Sequence, residues 1–308
     1  MRVLLATDGS PCSEEAAGIL ARLPHRDKLE LTITTAVAPP SAAFFSPTKE
    51  FMEQLADDDR KYAEAHQSKM EELFSGANAS VKTVILEGPP QEAIIEYAKA
   101  HDIELIVMGA KGHSQVDRIL LGSTSDYVAT HAHCSVLVVR PGESRASHPM
   151  LRVAIAYDAS VASQYAVEEV LRFDWGANTE LVVAGVAGYS PIFDPEYGFN
   201  PKSIRKEAED ALRQAVEHLQ PKVHHVDSRL IEYDHVAEGL VRFTEDEEID
   251  LLVIGDTGRS NLARALLGSV SRFVLRHAQC GVWVTRNRKR ADSPGARHDQ
   301  SDNMAGAS

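Results

Sequence analysis

Apolar runs and amphipathic stretches alternate along this chain in an order that occurs twice. Val3–Ala6 is a short apolar run of the buried-strand kind, broken at Thr7-Asp8-Gly9-Ser10. Ser10 and Ser13 are N-cap candidates for an amphipathic segment reaching Leu23. Leu29–Val37 predicts a second strand, stopped by Pro39-Pro40, and residues 41–47 read as a loop. A polar helix is predicted from about Lys49 to Leu73, with Phe51, Leu55, Tyr62 and Met70 as its apolar positions. Val81–Leu86 predicts a third strand, and Gln91–Ala100 a helix after the Gly88-Pro89-Pro90 break. Leu105–Met108 is a fully apolar fourth strand, and a helix after Gly122 leads to a fifth at Ser135–Val139.

The second half repeats this order. Strands are predicted at Leu151–Ala156, Glu180–Val186, near Arg229–Ile231, at Leu251–Ile254 and at Val282–Thr285. Helices are predicted at about Lys202–Leu219 and Val236–Glu245. The duplication is visible residue by residue: Gly109, Gly112, Gly122, Ser123 and Ser125 recur as Gly255, Gly258, Gly268, Ser269 and Ser271, a constant offset of 146 positions. Arg118/Arg264, His131/His277, Cys134/Cys280 and Arg140/Arg286 keep the same offset. Continuously apolar strands alternating with helices require a mostly parallel sheet covered on both faces. The expected fold class is therefore α/β, with two tandem doubly wound, Rossmann-like domains over residues 1–142 and 150–287. Residues 141–149 have linker composition, and residues 288–308 have too few apolar side chains to pack and are expected to be disordered.

Composition narrows the function classes. The chain has 308 residues, 44% hydrophobic and 25% charged, which suits two ordinary domain cores. A net charge of −13 argues against a general nucleic-acid binder, which needs a surplus of cations to displace phosphate counterions. The cluster Arg286-Asn-Arg-Lys-Arg290 reads as part of a solvated tail, with contact to an anionic partner as the lesser reading. No apolar run approaches a membrane span, and the N-terminus enters a strand at once, so the expected location is cytoplasmic. The three cysteines form no C-x-x-C pair. Cys134 and Cys280 are repeat equivalents, expected as small buried side chains, whereas Cys12 lies near a helix start where thiolate character is a minor possibility. His131, His133 and Cys134 lack a second ligand group, so packing is preferred to metal binding. Glu14-Glu15 and Asp57–Asp59 read as solvated helix faces.

The candidate chemistry sits at the carboxyl ends of the strands, where parallel sheets open a crevice. Gly109 and Gly112 follow the fourth strand, where missing side chains let backbone N–H groups approach a phosphate. Gly122-Ser123 opens the next helix, whose N–H groups and dipole favour an anion, and the Ser123 hydroxyl adds a donor. Asp8 ends the first strand as an acceptor suited to the exocyclic amine of a base, and Val37 ends the second with apolar surface. No phosphate-binding G-x-x-x-x-G-K-[S/T] loop is present.

Asp8 after a short strand, followed at long range by G-x-x-G-x9-G-[S/T], resembles the universal stress protein family in its ATP-binding form, and the resemblance spans nearly the whole chain twice. It implies a five-stranded parallel sheet between helices, commonly paired through the last strand, a pairing that two halves of one chain can make; a homodimer is also open. It implies that Asp8 and Val37 contact adenine, and that Gly109, Gly112, Gly122, Ser123 and Thr124 hold ribose and phosphates, with Mg2+ nearby. Thr7, Met108 and Lys111 would line the same cleft. In the second half the corresponding residues are Asp158, Val186, Gly255, Gly258, Gly268 and Ser269. That half departs from the pattern: Asp256 introduces a carboxylate, Thr257 replaces Lys111, and Tyr233-Asp234-His235 replaces Gly88-Pro89-Pro90. The first half is thus the better candidate site. Three functions remain open: an ATP-binding regulator with at most slow hydrolysis, an ATP-dependent enzyme, and a nucleotide-independent scaffold or metabolite binder acting through protein contacts.

Overall fold

The apolar runs become strands and the amphipathic stretches cover them on both faces. A computed structural model describes residues 1–25, 27–38, 48–112, 121–140, 150–188, 201–257 and 267–287. The first half runs β1 (Arg2–Ala6), α1 (Pro11–Arg22), β2 (Leu29–Val37), α2 (Lys49–Leu73), β3 (Ala79–Glu87), α3 (Pro90–Ala100), β4 (Leu105–Gly109), α4 (Ser123–His131) and β5 (Ser135–Val139). The second runs β6 (Leu151–Ala156), α5 (Val161–Val170), β7 (Thr179–Ala187), α6 (Pro201–Leu219), β8 (Val226–Glu232), α7 (Val236–Asp246), β9 (Leu251–Gly255), α8 (Ser269–His277) and β10 (Gly281–Thr285). The predicted 41–47 loop, the 141–149 linker, the tail from residue 288 and Gly258 lie outside the described residues.

Two elements differ from the expected pattern. The strand expected near Arg229–Ile231 extends over Val226–Glu232, because its edge position alternates half-buried with exposed residues such as Asp227 and Arg229. Such alternation lacks the continuous apolar signal of a central strand. In α2, only Met70 of the four apolar positions is buried; Phe51, Leu55 and Tyr62 are exposed.

The ten strands make one sheet in the order β3-β2-β1-β4-β5-β10-β9-β6-β7-β8. Every neighbouring pair is parallel except β5 and β10, which pair antiparallel through Val136, Leu137 and Val138 against Val284, Trp283 and Val282. The halves are thus not two separate sheets. All residues of β5 and β10 are buried, and an apolar edge strand of this kind needs a partner. One face of the sheet carries a continuous core with α1, α2, α5 and α6, and the other with α3, α4, α7 and α8.

Two repeat-related arginines lock this junction. The Arg140 guanidinium donates to the carbonyls of Ala278 (2.6 Å), Leu275 (2.6 Å) and Arg276 (3.0 Å), capping the end of α8. Arg286 returns the exchange, donating to the carbonyls of Ala129 and Thr130 at the end of α4 and of Cys134. Burial pulls the Arg286 pKa down while the Asp256 charge opposes that shift. A buried cation is tolerable here because the last carbonyls of a helix have no internal partner and carry partial negative charge. Arg276 and Asp126 add an ion pair at 2.9 Å between α8 and α4. Trp283 is fully buried and meets Phe173 edge-on at 5.2 Å between centroids.

A second contact between the halves holds a buried carboxylate. Arg172 bridges Glu104 of the first half at 2.6 Å and Glu169 of α5 at 3.5 Å. Glu169 is 2% exposed, and burial pushes its carboxyl up to about 7, outweighing the hydrogen bond from Ser135 and the charge of Arg172.

The turn after the first strand of each half shows how the duplicated backbone is held. Gly9 has φ +80°, and a Cβ there would stand 2.6 Å from the His66 ring of α2. Its counterpart Ala159 has φ 62°, so a side chain occupies the left-handed region that glycine occupies in the first half.

Two stability measurements follow from these sites. The folded protein keeps the Glu169 proton to about 7, against an ordinary 4.5 in the unfolded chain. The native state therefore binds more protons across that window, and stability should fall as pH rises through it, by about 3 kcal/mol in total. Glu169→Gln should raise the melting temperature at pH 8 and leave it nearly unchanged at pH 5; parallel profiles for the two proteins would contradict the buried proton. Ala159→Gly should stabilise by up to about 1 kcal/mol, whereas Gly9→Ala should destabilise by more than about 1 kcal/mol, both read from urea midpoints.

Candidate functional site

The strand order reverses direction at β1, whose neighbours β2 and β4 lead away to opposite sides, and a crevice opens there at the carboxyl ends. It is a cleft of ≈ 250 Å³ lined by Thr7, Asp8, Met108, Gly109, Lys111, Gly112, Gly122, Ser123 and Thr124. Nine of the ten first-half residues expected from the sequence therefore meet in one place; the tenth, Val37, lines a neighbouring groove. The pleat explains the difference. Thr34 and Ala36, two apart on β2, face the cleft, and Val37 falls on the other face. Sequence reasoning also passed over Ser13, Pro90, Ile94 and Ser125 in the lining. Three of these carried a readable signal: Ser125 recurs as Ser271, and Pro90 and Ile94 stand four apart on one helix face.

Hydrogen bonds brace the cleft from within. The Asp8 carboxylate accepts from the backbone N–H of Ser10 at 3.0 Å, and the Ser10 hydroxyl donates to the Lys111 carbonyl at 3.2 Å, tying the turn after β1 to the loop after β4. Thr7 and Ser13 share a hydroxyl contact at 3.0 Å. Ser125 donates its hydroxyl to the carbonyls of Gly109 (2.9 Å) and Ala110 (3.1 Å), fixing the first turn of α4 against the loop.

The glycines divide into different duties. A Cβ on Gly109 would sit 2.7 Å from the Cys12 backbone, so this glycine lets α1 pack against β4; Gly255 does the same against Ala162, also at 2.7 Å. Approach of a phosphate is not its evident role. A Cβ on Gly112 would stand 2.5 Å from the Asp8 carboxylate, so here the missing side chain leaves room for a functional group in the cleft. The Gly122 N–H is spent on the Ala110 carbonyl at 2.7 Å. Donors toward an anion therefore come from the next residues, Ser123 and Thr124, in the first turn of α4.

The second half keeps the frame and changes its contents. Asp158 accepts from the Ser160 N–H at 3.0 Å, the Gly268 N–H donates to the Asp256 carbonyl at 2.7 Å, and Ser271 donates to the Gly255 carbonyl at 2.7 Å. Ser269 opens α8 as Ser123 opens α4. Strand register pairs Ala6 with Thr34 and Ala156 with Ala184, so Val186 matches Ala36, and Ala187 is the counterpart of Val37. Tyr233 takes the place of Gly88, each N–H donating to that strand-end carbonyl, and its side chain lies where a Cβ on Gly239 would be 2.8 Å away. The Asp256 carboxylate accepts from the Thr257 hydroxyl at 3.2 Å and bears on the buried Arg286. Its charge is thus partly answered from the junction.

The remaining candidates have structural employment. Cys12, Cys134 and Cys280 are buried and in no disulfide. His131 and His277 stack on Tyr127 and Phe273 one turn earlier, each with Nδ1 at the carbonyl of that residue, 2.9 and 2.8 Å away. Among the described residues no group of three potential ligands gathers for a metal, and no helix is long and apolar enough to cross a membrane.

Comparison with known proteins agrees with this architecture. The model of the universal stress protein family matches residues 1–140 and again residues 150–286. The universal stress protein Rv2623 of Mycobacterium tuberculosis is 28% identical over 291 residues, covering 92% of this chain and 96% of its own. Rv2005c of the same organism is 28% identical over 290 residues, with the same coverage. A crystal structure of a universal stress protein from Archaeoglobus fulgidus shares the fold at TM-score 0.64 and 20% identity, covering 92% of this chain and 98% of that one. With its motif and strand order repeated in each half and the family model matching both, this chain is a tandem member of the universal stress protein family.

Proposed function

We propose that the first-half cleft binds an adenine nucleotide, ATP with Mg2+, and that the chain acts as a nucleotide-responsive stress regulator with at most slow hydrolysis. The observation that carries this reading is the convergence of Asp8, Lys111 and the first turn of α4 on one cleft. Each group has a fitting partner in such a ligand. The Asp8 carboxylate suits an amine or ribose hydroxyl, while Lys111 and the donors of Ser123 and Thr124 suit phosphate oxygens. A magnesium ion would arrive with the nucleotide, held mainly by phosphate and water, so it needs no cage of protein carboxylates. The second half supports a different role. With Tyr233 in the place of Gly88 and Asp256 in its loop, it is the better candidate for a part that works through protein contacts without nucleotide.

Mass spectrometry of protein purified without added ligand, followed by titration calorimetry with ATP, tests this. The expected stoichiometry is one nucleotide per chain. Gly122→Glu should weaken binding by about a hundredfold or more, since it sets a carboxylate at the phosphate end, whereas Gly268→Glu should leave it within about twofold. Equal losses would remove the asymmetry between the halves, and a folded protein that fails to bind ATP would favour the nucleotide-independent scaffold.

A further inference from the structure

The N-terminal part of α2 overhangs the body of the molecule. From Glu50 to Tyr62 every residue is exposed except the half-buried Met52, and the helix first becomes buried at Ala63. α2 has 25 residues and α6 has 19; both end at equivalent leucines, Leu73 and Leu219, so the extra length is all at the start. The overhang's inner side, with Glu53, Ala56 and Asp57, borders a groove of ≈ 620 Å³ over Val37 and Ile85. Its outer side carries Phe51, Leu55 and Tyr62, which are 58%, 37% and 50% exposed. At about 100° per residue these three fall within about 40° of one another, forming one apolar stripe.

The charges around that stripe are one-sided. Residues 50–61 hold the carboxylates Glu50, Glu53, Asp57, Asp58 and Asp59, and only the cations Arg60 and Lys61. Those two turn to Glu87 and Asp57, at 3.6 and 2.6 Å, on the side away from the stripe. Asp58 and Asp59 flank Leu55 and Tyr62 on the outer surface. A stripe of large apolar groups beside carboxylates complements an amphipathic helix whose polar face is basic. A second copy of the same face is disfavoured, because it would set these aspartates against themselves. An anionic lipid surface is disfavoured for the same reason.

We propose that the outer face of the α2 overhang is a docking surface for a partner protein presenting a basic amphipathic helix, with Phe51 and Leu55 as its apolar anchors. This surface lies away from the cleft and does not depend on what fills it. The test is fluorescence anisotropy with the full chain and a labelled 18-residue leucine–lysine amphipathic helix, against a peptide of the same composition with scrambled leucines. The parent should bind the amphipathic peptide at least about tenfold more tightly. Phe51→Ser with Leu55→Ser should bring that ratio to about one, with an unchanged melting temperature because both side chains are exposed. Ile204→Ser on α6 should leave the ratio intact. Equal affinity of the parent for both peptides, or a preference that survives the double substitution, would overturn the proposal. So would a parent dimer in light scattering that the double substitution converts to monomer, which would assign the face to a second copy.

Discussion

The antiparallel pairing of β5 with β10 is the constraint on which the rest of the molecule depends. Each half ends in a strand whose residues are all buried, so neither half can expose that edge to water. Pairing the two strands satisfies both ladders at once and leaves a sheet whose outer edges are β3 and β8. Those edges carry exposed polar residues such as Ser80, Lys82, Asp227 and Arg229 and no fully buried ones. The arginines that close the junction serve two ends at once: each leaves a terminal strand of one half and neutralises the carbonyl end of a helix in the other.

That exchange gives α4 two assignments. Its first turn lines the cleft, and its last turn receives Arg286. Both assignments fall within a helix of nine residues, so the cleft cannot be regarded as the property of the first half alone. Asp256, in the second half's loop, bears on the same arginine. A residue that looked in the sequence like a flaw in a phosphate site is thereby also part of the electrostatics of the junction.

Much of the fold was legible because its central strands are short, wholly apolar and repeated. Leu105–Met108 and Leu251–Ile254 permit no other reading once a helix pattern follows each, and the offset of 146 made the duplication plain. The edge strand at Val226 was only partly legible, since one solvated side dilutes its apolar signal. Most of the cleft was legible too, because its groups sit at strand ends and helix starts that the pattern locates. Val37 borders the neighbouring groove while Ala36 lines the cleft, because the pleat decides the face on which each side chain lies. Gly109 shows a different limit. Its spacing is equally compatible with ligand approach and with helix packing, and only the distance to Cys12 separates the two. Arg140 and Arg286 were visible as matching letters, but a role made by contacts more than 130 positions away has no local signature.

Because β5 and β10 run in opposite directions, the carboxyl ends of the first five strands and those of the second five point to opposite sides of the molecule. The cleft of the first half and the matching strand ends of the second half therefore face away from each other. The duplication thus sets the strand ends of the two halves on opposite sides of one sheet, while the arginines at the junction keep the two halves mechanically joined.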